Sequence, residues 1–150
     1  MEGYEQSDFN IAFEQRKRIY QLSFPCSDSK ERALKTLRGL EASFEDWMRV
    51  HDDPESDPYL QKVSLCEMFK RAVSLEEKIC VYIRSVSVSK KAKLLKDISK
   101  IDATFEKWDA IINDPNSDSA LRKVAIYKME EVNLVSIRKK LRQKKRGWGS

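Results

Sequence analysis

Turn-forming residues are scarce in this chain: four glycines and four prolines among 150 residues. An all-β fold needs a turn signal roughly every ten residues, so that supply excludes one. No apolar run approaches the ~20 residues that span a bilayer. Cysteine is limited to Cys26, Cys66 and Cys80, with no C-x-x-C spacing, and His51 is the single histidine. That set fits neither a zinc site nor a disulfide framework, and it reads as buried thiols in the cytosol or nucleus. Glycine-rich phosphate loops are missing. The opening MEGYEQSDFN is acidic and polar, unlike a secretory leader. No Asn-x-Ser/Thr sequon occurs, in keeping with that compartment.

What the chain does have is a composition 41% hydrophobic and 35% charged, which suits a charge-rich helical domain. It also repeats itself. FEDWMRVHDDPESDPYLQKV, from Phe44, is answered by FEKWDAIINDPNSDSALRKV, from Phe105. With a shift of 61, residues 30–68 match 91–129 at Lys30, Leu34, Lys35, Ala42, Phe44, Glu45, Trp47, Asp53, Pro54, Ser56, Asp57, Leu60, Lys62, Val63 and Met68. One inserted residue aligns VSLEEKI with VSIRKKL, extending the repeat to 30–79 and 91–141. A gap-free match of this kind marks a duplicated structural unit.

Each unit reads as helix, turn, helix. Leu34, Leu37, Leu40, Phe44, Trp47 and Val50 recur at three- and four-residue steps, as do Leu95, Ile98, Ile101, Phe105, Trp108 and Ile111. That spacing predicts one long first arm per unit with an apolar face. Asp28 and Glu31 predict a capping box at its start. DDPESDP and NDPNSDS break the chain, with Asp57 and Ser117 or Asp118 as caps for the second arms. The first of these arms runs on through Leu75, Ile79 and Ile83, and the β-branched stretch after it reads as a helix end entering a linker. A further helix, carrying Phe9, Phe13, Arg16 and Tyr20 on one side, stops before Pro25. The predicted fold is all-α: a four-helix antiparallel bundle of two hairpins, about 28–88 and 90–146, plus an N-terminal helix, in a single domain. Residues 138–150 form a basic tail whose order the sequence leaves open.

An up-down-up-down bundle puts both Asp-Pro turns at one end and the 83–93 linker and C-terminus at the other. Residues 41–58 hold seven acids against Arg49, whereas 84–100 hold six bases against Asp97. The formal charge is +5; without the seven bases of RKKLRQKKR it would be −2. The expectation is a basic pole opposite an acidic turn, with Arg16, Lys17 and Arg18 adding to the basic end.

Enzyme chemistry finds no foothold here. His51 reads as a helix-end histidine, and no nucleophile–base pair is identifiable. The Asp-Pro turns lack the central glycine and closing glutamate of calcium loops, so capping explains them. Phe44/Trp47 and Phe105/Trp108 fall on the core stripes, which outweighs base stacking. Ser85, Ser87 and Ser89 beside Lys90 read as a polar linker, with phosphorylation as the alternative. No cofactor or metal is implied. The leading functional reading is a non-catalytic nucleic-acid-binding protein, with RNA placed ahead of DNA. Its phosphate contacts fall to Arg138, Lys139, Lys140, Arg142, Lys144, Lys145 and Arg146, then Lys90, Lys91 and Lys93. Trp148 is a stacking candidate. The alternative is an adaptor or regulator that holds a partner helix, its basic tail serving for nuclear import or steering. A plain solvated helix end is a third account of the tail. The duplication also leaves homodimer formation open.

Overall fold

The computed structural model of the chain describes residues 2–148, with side chains from 9 to 147. Among them are eight α-helices and no strand. They fall into two compact units, Met1–Ala72 and Val73–Ser150. The first holds α1 (Glu2–Leu22), α2 (Asp28–Gly39), α3 (Phe44–Asp52) and α4 (Pro58–Arg71). The second holds α5 (Leu75–Arg84), α6 (Val88–Ser99), α7 (Phe105–Asn113) and α8 (Ser119–Trp148).

The all-helical class agrees with the sequence reading, but the long arms are broken. The predicted first arm is two helices in each unit. Glu41 sits at φ 53°, a left-handed conformation that no helix interior tolerates. Ser43 then restarts the chain: its hydroxyl accepts from the Asp46 N–H while Asp46 reaches back to the Ser43 N–H. In the second unit Thr104 performs the same restart, accepting from the Lys107 N–H. The predicted second arm of the first unit also ends early, at Arg71, because Ser74 and Glu77 form a capping box that opens α5. The match of VSLEEKI to VSIRKKL is therefore not structural. The first opens α5 and the second lies inside the unbroken α8, where Ser136 is followed three residues later by Lys139 instead of an acid. Ser27, not Asp28, caps α2 by accepting from the Lys30 N–H. Cys26, expected to be buried, is exposed in the α1–α2 connection at φ 60°.

The repeat also reaches further upstream than the aligned segments. Phe13 and Tyr20 of α1 are buried in the first unit, and Leu75 and Tyr82 of α5 are buried in the second. These pairs are 62 residues apart, one more than the main offset. Each unit is thus four helices, with α5 the counterpart of the latter part of α1.

Trp47 and Trp108 are each fully buried at 0% exposure. Phe13 meets Trp47 edge to face with centroids 5.7 Å apart. Leu37, Val50, Leu60 and Met68 complete this core, and Ile98, Ile111 and Leu121 occupy the equivalent places in the other. The Asp-Pro turns are built alike. Ser56 donates to the Val50 carbonyl and Ser117 to the Ile111 carbonyl, both at 2.6 Å. Asp53 accepts from the Glu55 N–H and Asp114 from the Asn116 N–H, both at 2.9 Å. The repeated Asp and Ser residues of the turn each have a hydrogen bond that explains them, and the repeated Pro54 and Pro115 disfavour helix at the residue before them.

Phe44 is buried at 6% exposure whereas its twin Phe105 is 40% exposed. Truncation of Trp47 or Trp108 to Ala should each cost about 3–5 kcal/mol. Phe105→Ala should cost markedly less than Phe44→Ala. Urea unfolding of the four variants checks both statements; equal losses at the two phenylalanines would contradict the packing described.

Candidate nucleic-acid interface

The seven tail bases all lie on α8. Asp118 caps this helix by accepting from the Leu121 N–H at 2.9 Å. Leu121, Ala125 and Lys128 are then buried, where α8 packs on α7 and α6. Lys128 pairs with Glu131 at 3.2 Å and lies 5.8 Å over the Trp108 ring. From 133 to 147 every side chain is exposed. Past Glu131 the chain contains no acid. Arg138, Lys139, Lys140, Arg142, Lys144, Lys145 and Arg146 therefore project from a helical extension, at the end of a helix where the backbone dipole favours cations. The Trp148 side chain lies outside the described residues.

Lys90, Lys91 and Lys93 stand elsewhere. They occupy the first turns of α6, and Lys91 lies 3.9 Å from Asp118 and 5.1 Å over the Tyr82 ring. Asp118 begins α8, so twenty residues separate that contact from Arg138, about 30 Å along the axis at ~1.5 Å per residue. The ten residues do not form one basic pole. The linker lysines sit beside the second Asp-Pro turn, which the up-down reading had placed at the opposite end.

The same correction applies to the first unit. Lys17 pairs with Asp53 at 3.2 Å, Arg18 with Glu55 at 2.6 Å, and Lys30 with Asp57 at 2.8 Å. Charges that are segregated along the sequence are brought together in space, because the end of α1 and the start of α2 dock on the acidic turn. Sequence reasoning passed over a different cationic cluster: Arg16 of α1 with Arg32 and Lys35 of α2, which border a cavity of about 310 Å³ with Ser29 and Thr36. Helical spacing within α2 could have flagged Arg32 and Lys35; only tertiary packing adds Arg16.

Asp57 and Asp118 organise the local electrostatics. Tyr20 donates to both Asp57 oxygens at 3.2 Å, and Tyr82 to those of Asp118 at 2.9 and 2.8 Å. Burial pushes the Asp57 carboxyl up, but Lys30, the Leu60 N–H and Tyr20 overcome it and hold the group below the usual carboxylate range. For Asp118, burial is likewise overcome by the Leu121 N–H, Tyr82 and Lys91. Burial and Asp57 raise the Tyr20 phenol. Burial and Asp118 push Tyr82 up to about 12.

His51 contacts Asp52 at 3.0 Å, on the first acidic turn. Among the described residues no three His, Cys, Asp or Glu side chains are arranged to hold a metal ion, and no helix is long and apolar enough to cross a membrane. No family model, curated protein or solved structure matches the chain.

Depressed carboxyls contribute stability above their unfolded-state value near ~4 and lose it as pH falls through the folded value; raised phenols contribute below ~10 and lose it as pH climbs toward the folded value. Stability should therefore fall below about pH 4 and again above about pH 10. Asp118→Asn should flatten both limbs for the second unit. Urea midpoints measured across pH check this, and unchanged limbs in that variant would contradict the assignment.

Proposed function

We propose that this protein is a non-catalytic binder of nucleic-acid backbone, acting through the C-terminal half of α8. The observation that carries the reading is the acid-free exposed extension bearing Arg138, Lys139, Lys140, Arg142, Lys144, Lys145 and Arg146. Cations at this density attract phosphates by Coulomb force and gain from counterion release. The bases point around the helix axis instead of converging on one groove, which suits phosphate contacts without base readout. RNA is placed ahead of DNA as the ligand. Lys90, Lys91 and Lys93 act as a separate, secondary surface, since Lys91 is already engaged with Asp118.

A second reading, a protein adaptor, is favoured by one specific feature. Ile126, Tyr127, Leu134, Ile137 and Leu141 are large apolar side chains left exposed along the same helix. Apolar exposure of that extent marks a protein contact more than a phosphate contact. In that reading the basic run steers partners or directs import to the nucleus.

Fluorescence anisotropy with a 30-mer RNA separates the two. The full chain should bind with a log–log salt slope near about −5, the value for roughly seven contacts to a single strand. Deletion of 138–150 should weaken binding at least about a hundredfold in low salt. Substituting Lys90, Lys91 and Lys93 together by Ala should have a smaller effect. Affinity unchanged by the deletion would overturn the proposal. The ultraviolet absorbance ratio of the purified protein, before and after a high-salt wash, reports co-purifying nucleic acid. A clean ratio with a defined protein partner would favour the adaptor.

A further inference from the structure

Helix α8 is apolar on two sides. Leu121, Ala125 and Lys128 mark the side turned into its unit. At 3.6 residues per turn, Ile126, Tyr127, Leu134, Ile137 and Leu141 fall on roughly the opposite side. Leu134 is 50%, Ile137 45% and Leu141 57% exposed. Tyr127, Leu134 and Leu141 recur every seven residues, and Glu130, Ile137 and Lys144 fall between them at the complementary heptad positions. The pattern is that of a seam for another helix.

We propose that α8 pairs along this outer seam with the α8 of a second copy of the chain, in antiparallel orientation. Charge decides both the occupant and its direction. A parallel pair would set seven bases against the same seven bases. In an antiparallel pair centred near residue 135, Leu134 of one copy faces Ile137 of the other. Glu130 then lies about one turn from Lys144 and Lys145 of the second copy, Glu131, which also pairs with Lys128 of its own chain at 3.2 Å, lies beside the second copy's Arg138, and Tyr127 faces its Lys144. Each attraction occurs twice by symmetry, so the helix is complementary to its own reverse.

The extension needs such a partner. Residues 133–147 bury no side chain within the chain. A stretch of about fifteen residues is marginal as an isolated helix, because helices in proteins depend on packing of an apolar face. Lys139, Arg142 and Arg146 lie away from the seam and stay outward in the pair. The inference rests on the seam and the charges that border it, Arg138, Lys144 and Lys145 among them, and not on phosphate binding.

The test is sedimentation velocity and light scattering on nuclease-treated full-length protein at micromolar concentrations. A mass twice that of the chain is expected. Ile137→Asp should raise the dimer dissociation constant at least tenfold with an unchanged helical circular-dichroism signal, since Ile137 is exposed in its own unit. Joint Glu130→Lys and Glu131→Lys should also weaken the dimer at least tenfold, and adding Arg138→Glu, Lys144→Glu and Lys145→Glu should restore it. Spin labels at Gly147→Cys, with Cys26, Cys66 and Cys80 replaced by Ser, should lie about 35 Å apart, against under about 20 Å for a parallel pair. A monomer, a dimer indifferent to Ile137→Asp, or closely spaced labels would each overturn the proposal.

Discussion

One carboxylate per unit holds three helices to one another. Asp57 caps α4, accepts from Tyr20 of α1 and pairs with Lys30 of α2. Asp118 does the same for α8, α5 and α6 through Leu121, Tyr82 and Lys91. A part-buried carboxylate is costly without donors, and here each one has a backbone N–H, a phenol and an ammonium around it. The lysine also lies over the tyrosine ring, at 4.7 Å in the first unit and 5.1 Å in the second. Removing any one partner unties one helix from the shared carboxylate. This constraint explains why Tyr, Lys and the Ser-Asp pair recur in both halves while the surface around them has drifted.

The drift is informative where it enters the core. Glu67 and Lys128 occupy equivalent, buried positions and carry opposite charges. Glu67 gathers Arg38 and Arg71, and Arg71 lies 6.0 Å over the Trp47 ring. In the other unit Lys128 itself takes the place over Trp108. A cation above the buried tryptophan is thus retained, supplied from a different position in each unit. Both indole N–H groups are buried without an acceptor, so the ring's electron-rich face is its principal polar contact. With Arg71 anchored to the Ala42 carbonyl at 2.8 Å, α4 closes against the α2–α3 connection and ends. Lys128 needs no such terminus, and α8 continues.

Much of this was legible in the sequence. Three- and four-residue spacing gave the helical class and the buried tryptophans, and the shared turn gave the duplication. The breaks were harder to read. A three-to-four spacing that passes smoothly through 40–43 looks like one helix, because apolar periodicity does not register a single left-handed residue such as Glu41. Ser74 and Glu77 carry an S-x-x-E helix-start pattern, but the apolar spacing through Leu75, Ile79 and Ile83 runs across it and reads as one continuing arm. The charge map was the least legible part. Runs of one sign in sequence suggested poles, but opposite runs attract, so the cationic end of α1 docked on the acidic turn. Arg138 still borders a cavity with Asp102 and Glu131, but no acid follows Glu131, and beyond Arg138 α8 carries the tail bases away from the acids of its own unit.

That last feature ties the architecture to its use. A helix that ended where its counterpart α4 ends would leave, of its large apolar side chains, only Ile126 and Tyr127 exposed on its outer side. By running on, α8 exposes a segment whose composition is incompatible with the unit's own core: aliphatic residues at seam spacing, flanked by cations that a desolvated interior would reject. Such a segment gains stability from anything outside the unit that covers the aliphatic stripe and compensates the charge. A helix with acids at one end and bases at the other, and leucine and isoleucine between, meets both conditions, and α8 is itself such a helix. The phosphate backbone meets only the second, so Lys139, Arg142 and Arg146, which lie away from the seam, are the cations separable from it, whereas Arg138, Lys144 and Lys145 border both.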